Sequence, residues 1–288
     1  MSDFYELRWN SSVSGLYARD YPSRGGSACL PVVCLHGLTR NSADFDDIAL
    51  KISNSGRRVI VPDIRGRGKS GRGFDPASYS PAIYADDILR LLDSLGIKQA
   101  IFIGTSMGGV ITMLLAVKRL GAIAAAILNE AGPEVTSVGI DRISSYVPFP
   151  EGLKDWGEAT KAIQDRYAVS YPFWTDTQWS DFAKKSLTRE SDELVGNYDP
   201  DIWQTIQSGK LKLRPMLSWF AFKRLTRNRP CMFIRGELSD LFDEKIVSKM
   251  ARRAPRLQLL EIPGVGHAPT LNEPQAIAGI QSFLESVR

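Results

Sequence analysis

The sequence predicts an α/β fold: a mostly parallel, doubly wound sheet with helices on both faces and a helical cap inserted after the sixth strand. Three observations predict it. Short apolar runs alternate with longer segments of helical periodicity, as strand–helix–strand units require. Residue types that carry chemistry cluster just past the carboxyl ends of those runs, where open parallel sheets bind ligands. The alternation fails in one long stretch, 133–226, which reads as helical and holds no convincing core strand.

Residues 4–9 and 15–21 read as a hairpin that starts the sheet. The runs at 31–36, 58–63, 99–104, 122–129, 230–235 and 257–262 are short, apolar and bounded by Gly, Pro or Asp, which marks them as buried strands. Helices are expected near 43–54, 81–95, 107–119, 244–253 and 273–287. Ser80-Pro81 opens the second of these with a capping hydroxyl and a proline at the first helical position, and Asp243 is placed to cap the fourth. This divides the chain into a core of 1–132 and 227–288 and a cap of 133–226, with helical segments near 153–169, 176–187 and an interrupted 199–225. The cap carries five of the six tryptophans, Trp156, Trp174, Trp179, Trp203 and Trp219. Large rings suit a lid over an apolar pocket as well as a small helical core. Trp174, Trp203 and Trp219 are the candidates for contact with a substrate.

Between the fifth strand and the helix that follows lies Gly104-Thr105-Ser106-Met107-Gly108. A serine flanked by glycines two residues away on each side, in a strand–turn–helix context, is the nucleophile-elbow pattern. The turn needs glycine because a sharp reversal leaves no room for Cβ atoms. It projects the serine Oγ clear of the sheet and aims the Met107 amide, at a helix N-terminus, toward a developing oxyanion.

A serine nucleophile needs a base, and the chain has two histidines. His267, in the loop after the last strand, is the expected base. His36, directly after the third strand, is placed to shape the Gly37-Leu38 turn so that the Leu38 amide faces Ser106. The third member should be a carboxylate past a strand end between Ser106 and His267. Asp240 is the favoured acid. Glu237 and Asp243 lie near it, and Glu130, after the sixth strand, is the rival.

With Pro62-Asp63-Ile64-Arg65-Gly66-Arg67-Gly68-Lys69-Ser70, which matches a D-x-R-G-x-G-x-S loop, these motifs resemble the α/β-hydrolase fold superfamily at four places in order. The resemblance runs essentially end to end. It implies a triad of serine, the acid after the seventh strand and the histidine after the last, hence Ser106, Asp240 and His267, with oxyanion amides from Leu38 and Met107. It implies no organic cofactor and no metal. His36-Gly37-Leu38-Thr39 departs from the H-G-G-G run of the lipase-like subgroup, and a serine at 106 argues against dehalogenase and epoxide hydrolase chemistry.

Gly66-x-Gly68-x-x-Gly71 imitates a dinucleotide fingerprint, but loop residues 72–79 follow where a helix must open, and Gly68-Lys69-Ser70 lacks the P-loop's first glycine. A net charge of +4 is too small to argue for nucleic acid, although Lys210, Lys212, Arg214, Lys223, Arg224, Arg227 and Arg229 form a basic stretch, read as a solvated face. Three cysteines, two of them in expected strands, suggest a reducing compartment with no disulfide framework. The N-terminus lacks the pattern of a signal peptide, and no apolar run approaches the ~20 residues of a membrane span. A cytoplasmic protein is expected. The function these features point to is hydrolysis of a small to medium carboxylic ester or lactone through an acyl-enzyme on Ser106. The alternatives are a C–C bond hydrolase of ring-cleavage products, and a ligand receptor that keeps the triad with little turnover.

Overall fold

The computed structural model describes residues 3–13, 15–25, 29–145, 149–207 and 215–287. Ten strands and ten α-helices follow in the order β1 (Tyr5–Trp9), β2 (Leu16–Tyr21), β3 (Val32–Leu35), α1 (Asp46–Asn54), β4 (Val59–Pro62), α2 (Pro81–Ser94), β5 (Ala100–Thr105), α3 (Met107–Lys118), β6 (Ile123–Asn129), α4 (Ser137–Ser145), α5 (Trp156–Tyr167), α6 (Asp176–Ser186), β7 (Leu187–Glu190), β8 (Glu193–Gly196), α7 (Ile202–Gln207), α8 (Pro215–Thr226), β9 (Cys231–Gly236), α9 (Glu244–Arg253), β10 (Leu257–Ile262) and α10 (Pro274–Ser286).

Eight strands form one sheet in the order β1-β2-β4-β3-β5-β6-β9-β10. The β1–β2 and β2–β4 pairs are antiparallel and every later pair is parallel. The side-chain alternation of the central strands builds a core on each face. Val33, Leu35 and Phe102 pack with Ile88 of α2, Ile111 of α3, Phe222 of α8 and Met250 of α9. Val32, Cys34, Ile101 and Ile103 pack with Ile48 of α1 and Ile280 and Phe283 of α10. The expected caps are made: Ser80 accepts from Ile83 N, and Asp243 accepts from Ile246 N.

The insertion between β6 and β9 holds α4–α8 and an antiparallel β7–β8 hairpin separate from the main sheet. Neither the hairpin nor α4 is evident in the sequence. The first strand of the hairpin, Leu187–Glu190, continues straight from α6 and is polar, so it lacks the apolar run that marks the core strands. Lys210, Lys212 and Arg214 of the basic stretch lie outside the described residues. Cys34 and Cys231 are buried, Cys29 is exposed, and none of the three is in a disulfide. No helix among the described residues is long and apolar enough to cross a membrane.

Candidate active site

Ser106 occupies the turn between β5 and α3 with φ +51° and ψ −113°, a left-handed backbone that a non-glycine residue adopts only when its surroundings enforce it. They do so here. Ser106 N donates to Asn129 O at 2.9 Å, and Ser106 O receives Gly109 N at 3.0 Å. A Cβ on Gly104 would come within 2.5 Å of the Gly108 carbonyl carbon, and one on Gly108 within 2.0 Å of Leu35 O. The glycines are therefore steric necessities of a strand and helix in direct contact.

His267 Nε2 lies 3.0 Å from Ser106 Oγ. Its Nδ1 lies 3.2 Å from Glu130 Oε2. Glu130 follows β6, is fully buried, and also sits in the left-handed region, with φ +49°. Its backbone N donates to Ile234 O at 2.9 Å. Its Oε1 accepts from Gly236 N at 2.8 Å, and its Oε2 accepts from Ser239 Oγ at 2.7 Å. An ionised carboxylate only accepts, so Nδ1 carries the imidazole proton and the Nε2 lone pair faces the serine hydroxyl. Serine, imidazole and carboxylate thus form one hydrogen-bonded relay.

Asp240, the acid favoured by the sequence, is not in that relay. Both its oxygens are taken by the guanidinium of Arg142 on α4, and its backbone oxygen accepts from Thr136 Oγ1. Burial raises its carboxyl, but the Arg142 guanidinium outweighs burial and holds it below the ordinary aspartate range. The correction has a physical cause: the insertion supplies a cation that turns Asp240 away, while the β6 turn delivers Glu130. The other nearby acids also have local partners. Glu237 accepts from Gly264 N, and Asp243 caps α9.

His36 is fully buried and receives Ile64 N on Nε2 at 3.0 Å, so Nδ1 carries the proton and donates to Gly37 O at 2.8 Å. Burial drives its pKa down to about 4, against the opposing pull of Asp63, and keeps it neutral. In a trans peptide the C=O and N–H point in opposite directions. Fixing Gly37 O therefore fixes the direction of the Leu38 N–H. Among the described residues the amides of Leu38 and Met107 have no hydrogen-bond partner in the protein. A Cβ built on Gly37 lies 3.9 Å from Ser106 Cβ, which places this turn against the serine. Asp63 secures the loop from below: it accepts from Ser42 N and Lys69 N, and Gly68 is glycine because a Cβ there would meet Asp63 Oδ2 at 2.2 Å.

Ser106 and His267 open onto a cavity of about 450 Å³. The insertion contributes Ile143, Tyr167, Tyr171, Trp174 and Phe182 to its walls. Trp174 stacks on Tyr171 with ring centroids 3.8 Å apart, and Tyr171 donates its hydroxyl to Ala268 O, beside the His267 imidazole, at 2.7 Å. Trp203 and Trp219 do not line the cavity. Both pack against the core on the other face of the sheet, and Trp219 donates its indole N–H to Glu134. The sequence does not single out Tyr167, Tyr171 or Phe182, because helical aromatics carry no mark of which side faces a ligand. The outer rim is polar, with Asp47, Gln178, Asp181 and Lys185.

Known proteins share this fold. The family model described as alpha/beta hydrolase fold matches residues 31–274. The chain is 31% identical over 285 residues to the 3-hydroxybutyrate-oligomer hydrolase of Cupriavidus necator, covering 94% of each protein. It is 27% identical over 267 residues to the sn-1-specific diacylglycerol lipase ABHD11 of Mus musculus, covering 90% of this chain and 82% of that one. A crystal structure of an alpha/beta hydrolase from Novosphingobium aromaticivorans superposes with a TM-score of 0.92 at 39% identity over 100% of both chains. By its elbow, its sheet order and these relatives, the chain belongs to the α/β-hydrolase fold family.

Proposed function

We propose that the protein is a serine hydrolase of short carboxylic esters, with Ser106 as nucleophile, His267 as general base and acid, and Glu130 as the orienting carboxylate. The observation that carries this reading is the continuous relay from Ser106 Oγ through His267 to Glu130, at 3.0 and 3.2 Å, beside two unengaged backbone amides. His267 Nε2 takes the serine proton as Oγ attacks the ester carbonyl. The negative charge on the carbonyl oxygen is received by Leu38 N–H and Met107 N–H, and one such donor is typically worth about 2.7–4 kcal/mol of barrier. Collapse expels the alcohol, which leaves with the proton from His267, and water repeats the sequence in reverse to free the acid.

The cavity of about 450 Å³ beside Ser106, with aromatic walls, supports a small-molecule ester with an apolar acyl group. The relative named as a hydrolase of 3-hydroxybutyrate oligomers, which are short-chain esters, supports the same class. The test is a p-nitrophenyl ester series from acetate to laurate on wild type and Ser106→Ala. Turnover is expected to peak at butyrate or hexanoate and to fall by about 10⁴-fold or more in the variant. A folded wild type that cleaves no member of the series would contradict the ester reading, and a chromogenic dienoate would then test C–C cleavage.

A further inference from the structure

Arg67 stands between the two glycines of the Arg65-Gly66-Arg67-Gly68 turn and is fully buried, with no exposed surface. Every arm of its guanidinium is engaged. Nε donates to Leu38 O at 2.9 Å, Nη1 to Arg65 O and to Tyr84 Oη at 2.8 Å each, and Nη2 points at Met107 Sδ at 3.8 Å. None of these acceptors is an anion. Among the described residues no carboxylate lies within salt-bridge distance of Arg67, whereas its neighbour Arg65 is paired with Asp87 at 2.7 Å. Burial pushes Tyr84 upward, so its phenol stays neutral and offers no countercharge. A buried cation without a counterion is costly, and its field is poorly screened. Outside its own loop it touches Tyr84 of α2 and also Leu38 and Met107, the two residues whose amides are left without a partner in the protein.

We propose that Arg67 is the positioning residue of the oxyanion hole, clamping the Leu38 and Met107 loops to each other and holding an uncompensated positive charge against them. It touches no substrate. It acts by fixing two donors and by favouring negative charge on the oxygen they bind, an interaction stronger in the tetrahedral state than in the bound ester. The inference rests on the serine-hydrolase reading above.

The test compares wild type, Arg67→Lys, Arg67→Gln and Arg67→Met for p-nitrophenyl butyrate hydrolysis and for inhibition by butylboronic acid, with Ser106→Ala as control and circular dichroism to confirm folding. Butylboronic acid accepts Ser106 Oγ at boron while the serine proton passes to His267, giving a tetrahedral anion that mimics the reaction intermediate. Removing the charge is expected to lower kcat and boronate affinity together, each by about 30-fold, with KM within about threefold. Lysine is expected to recover about tenfold of that loss, because it keeps the charge without the fork. Glutamine serves if the methionine variant does not fold. Folded neutral variants with wild-type kcat and boronate affinity, a loss confined to KM, or lysine no better than glutamine would overturn the proposal. If wild type itself neither hydrolyses the ester nor binds the boronate through Ser106, the serine-hydrolase reading fails instead.

Discussion

Glu130 illustrates how much a single backbone conformation decides. Its φ of +49° lets the chain turn at the end of β6, so that one fully buried carboxylate meets His267, Gly236 N and Ser239 Oγ at once. His36 is the other decisive residue. Its neutral ring links the β4 loop at Ile64 to the turn at Gly37, and it stays neutral down to about pH 4. An unfolded histidine protonates near 6.5. Between 6.5 and about 4 the unfolded chain therefore takes up a proton that the folded chain refuses, and stability falls as pH drops through that window. Over it, His36 is expected to cost about 3 kcal/mol. Urea unfolding of wild type and His36→Asn at pH 7 and pH 4 measures this. The stability advantage of wild type should shrink by that amount, and an unchanged difference would contradict the neutral assignment.

At the scale of elements, α5, α6 and the segment between them form the aromatic wall of the cavity. Tyr171, Trp174 and Phe182 pack on one another, with Arg40 lying over the Phe182 ring. Removing one ring should widen the cavity on this side. For Trp174→Ala, the ratio of kcat/KM for p-nitrophenyl laurate over butyrate is expected to rise by about tenfold, and a ratio that does not move would show that this wall does not limit chain length. The elements themselves are largely legible in the sequence, since apolar strands and capped helices declare their period. Ser106 and His267 are legible because an elbow has a fixed pattern and only two histidines compete. The wall is not, because a tryptophan that stacks in the pocket and one that packs in the core, such as Trp174 and Trp219, look alike until the chain is folded. The acid is hidden for a similar reason: three carboxylates follow β9, one precedes the insertion, and nothing local says which reaches the imidazole.

For the whole molecule, sheet order supplies both the candidates and the choice between them. The neighbours β6, β9 and β10 bring Glu130, Asp240 and His267 to one edge. The insertion then ties itself to that edge. Gly266 N donates to Ser170 O at 2.6 Å, and Arg142 of α4 grips Asp240. In this arrangement Asp240 holds the insertion and Glu130 holds the histidine, so two carboxylates at adjacent strand ends have different work. The most direct test of that division is kcat for p-nitrophenyl butyrate in Glu130→Gln and Asp240→Asn, measured beside wild type. Glu130→Gln is expected to lose about 10³–10⁴-fold, by analogy with amidation of a triad acid, and Asp240→Asn no more than about tenfold. The reverse order, with Asp240→Asn the crippled variant and Glu130→Gln near wild type, would contradict the account.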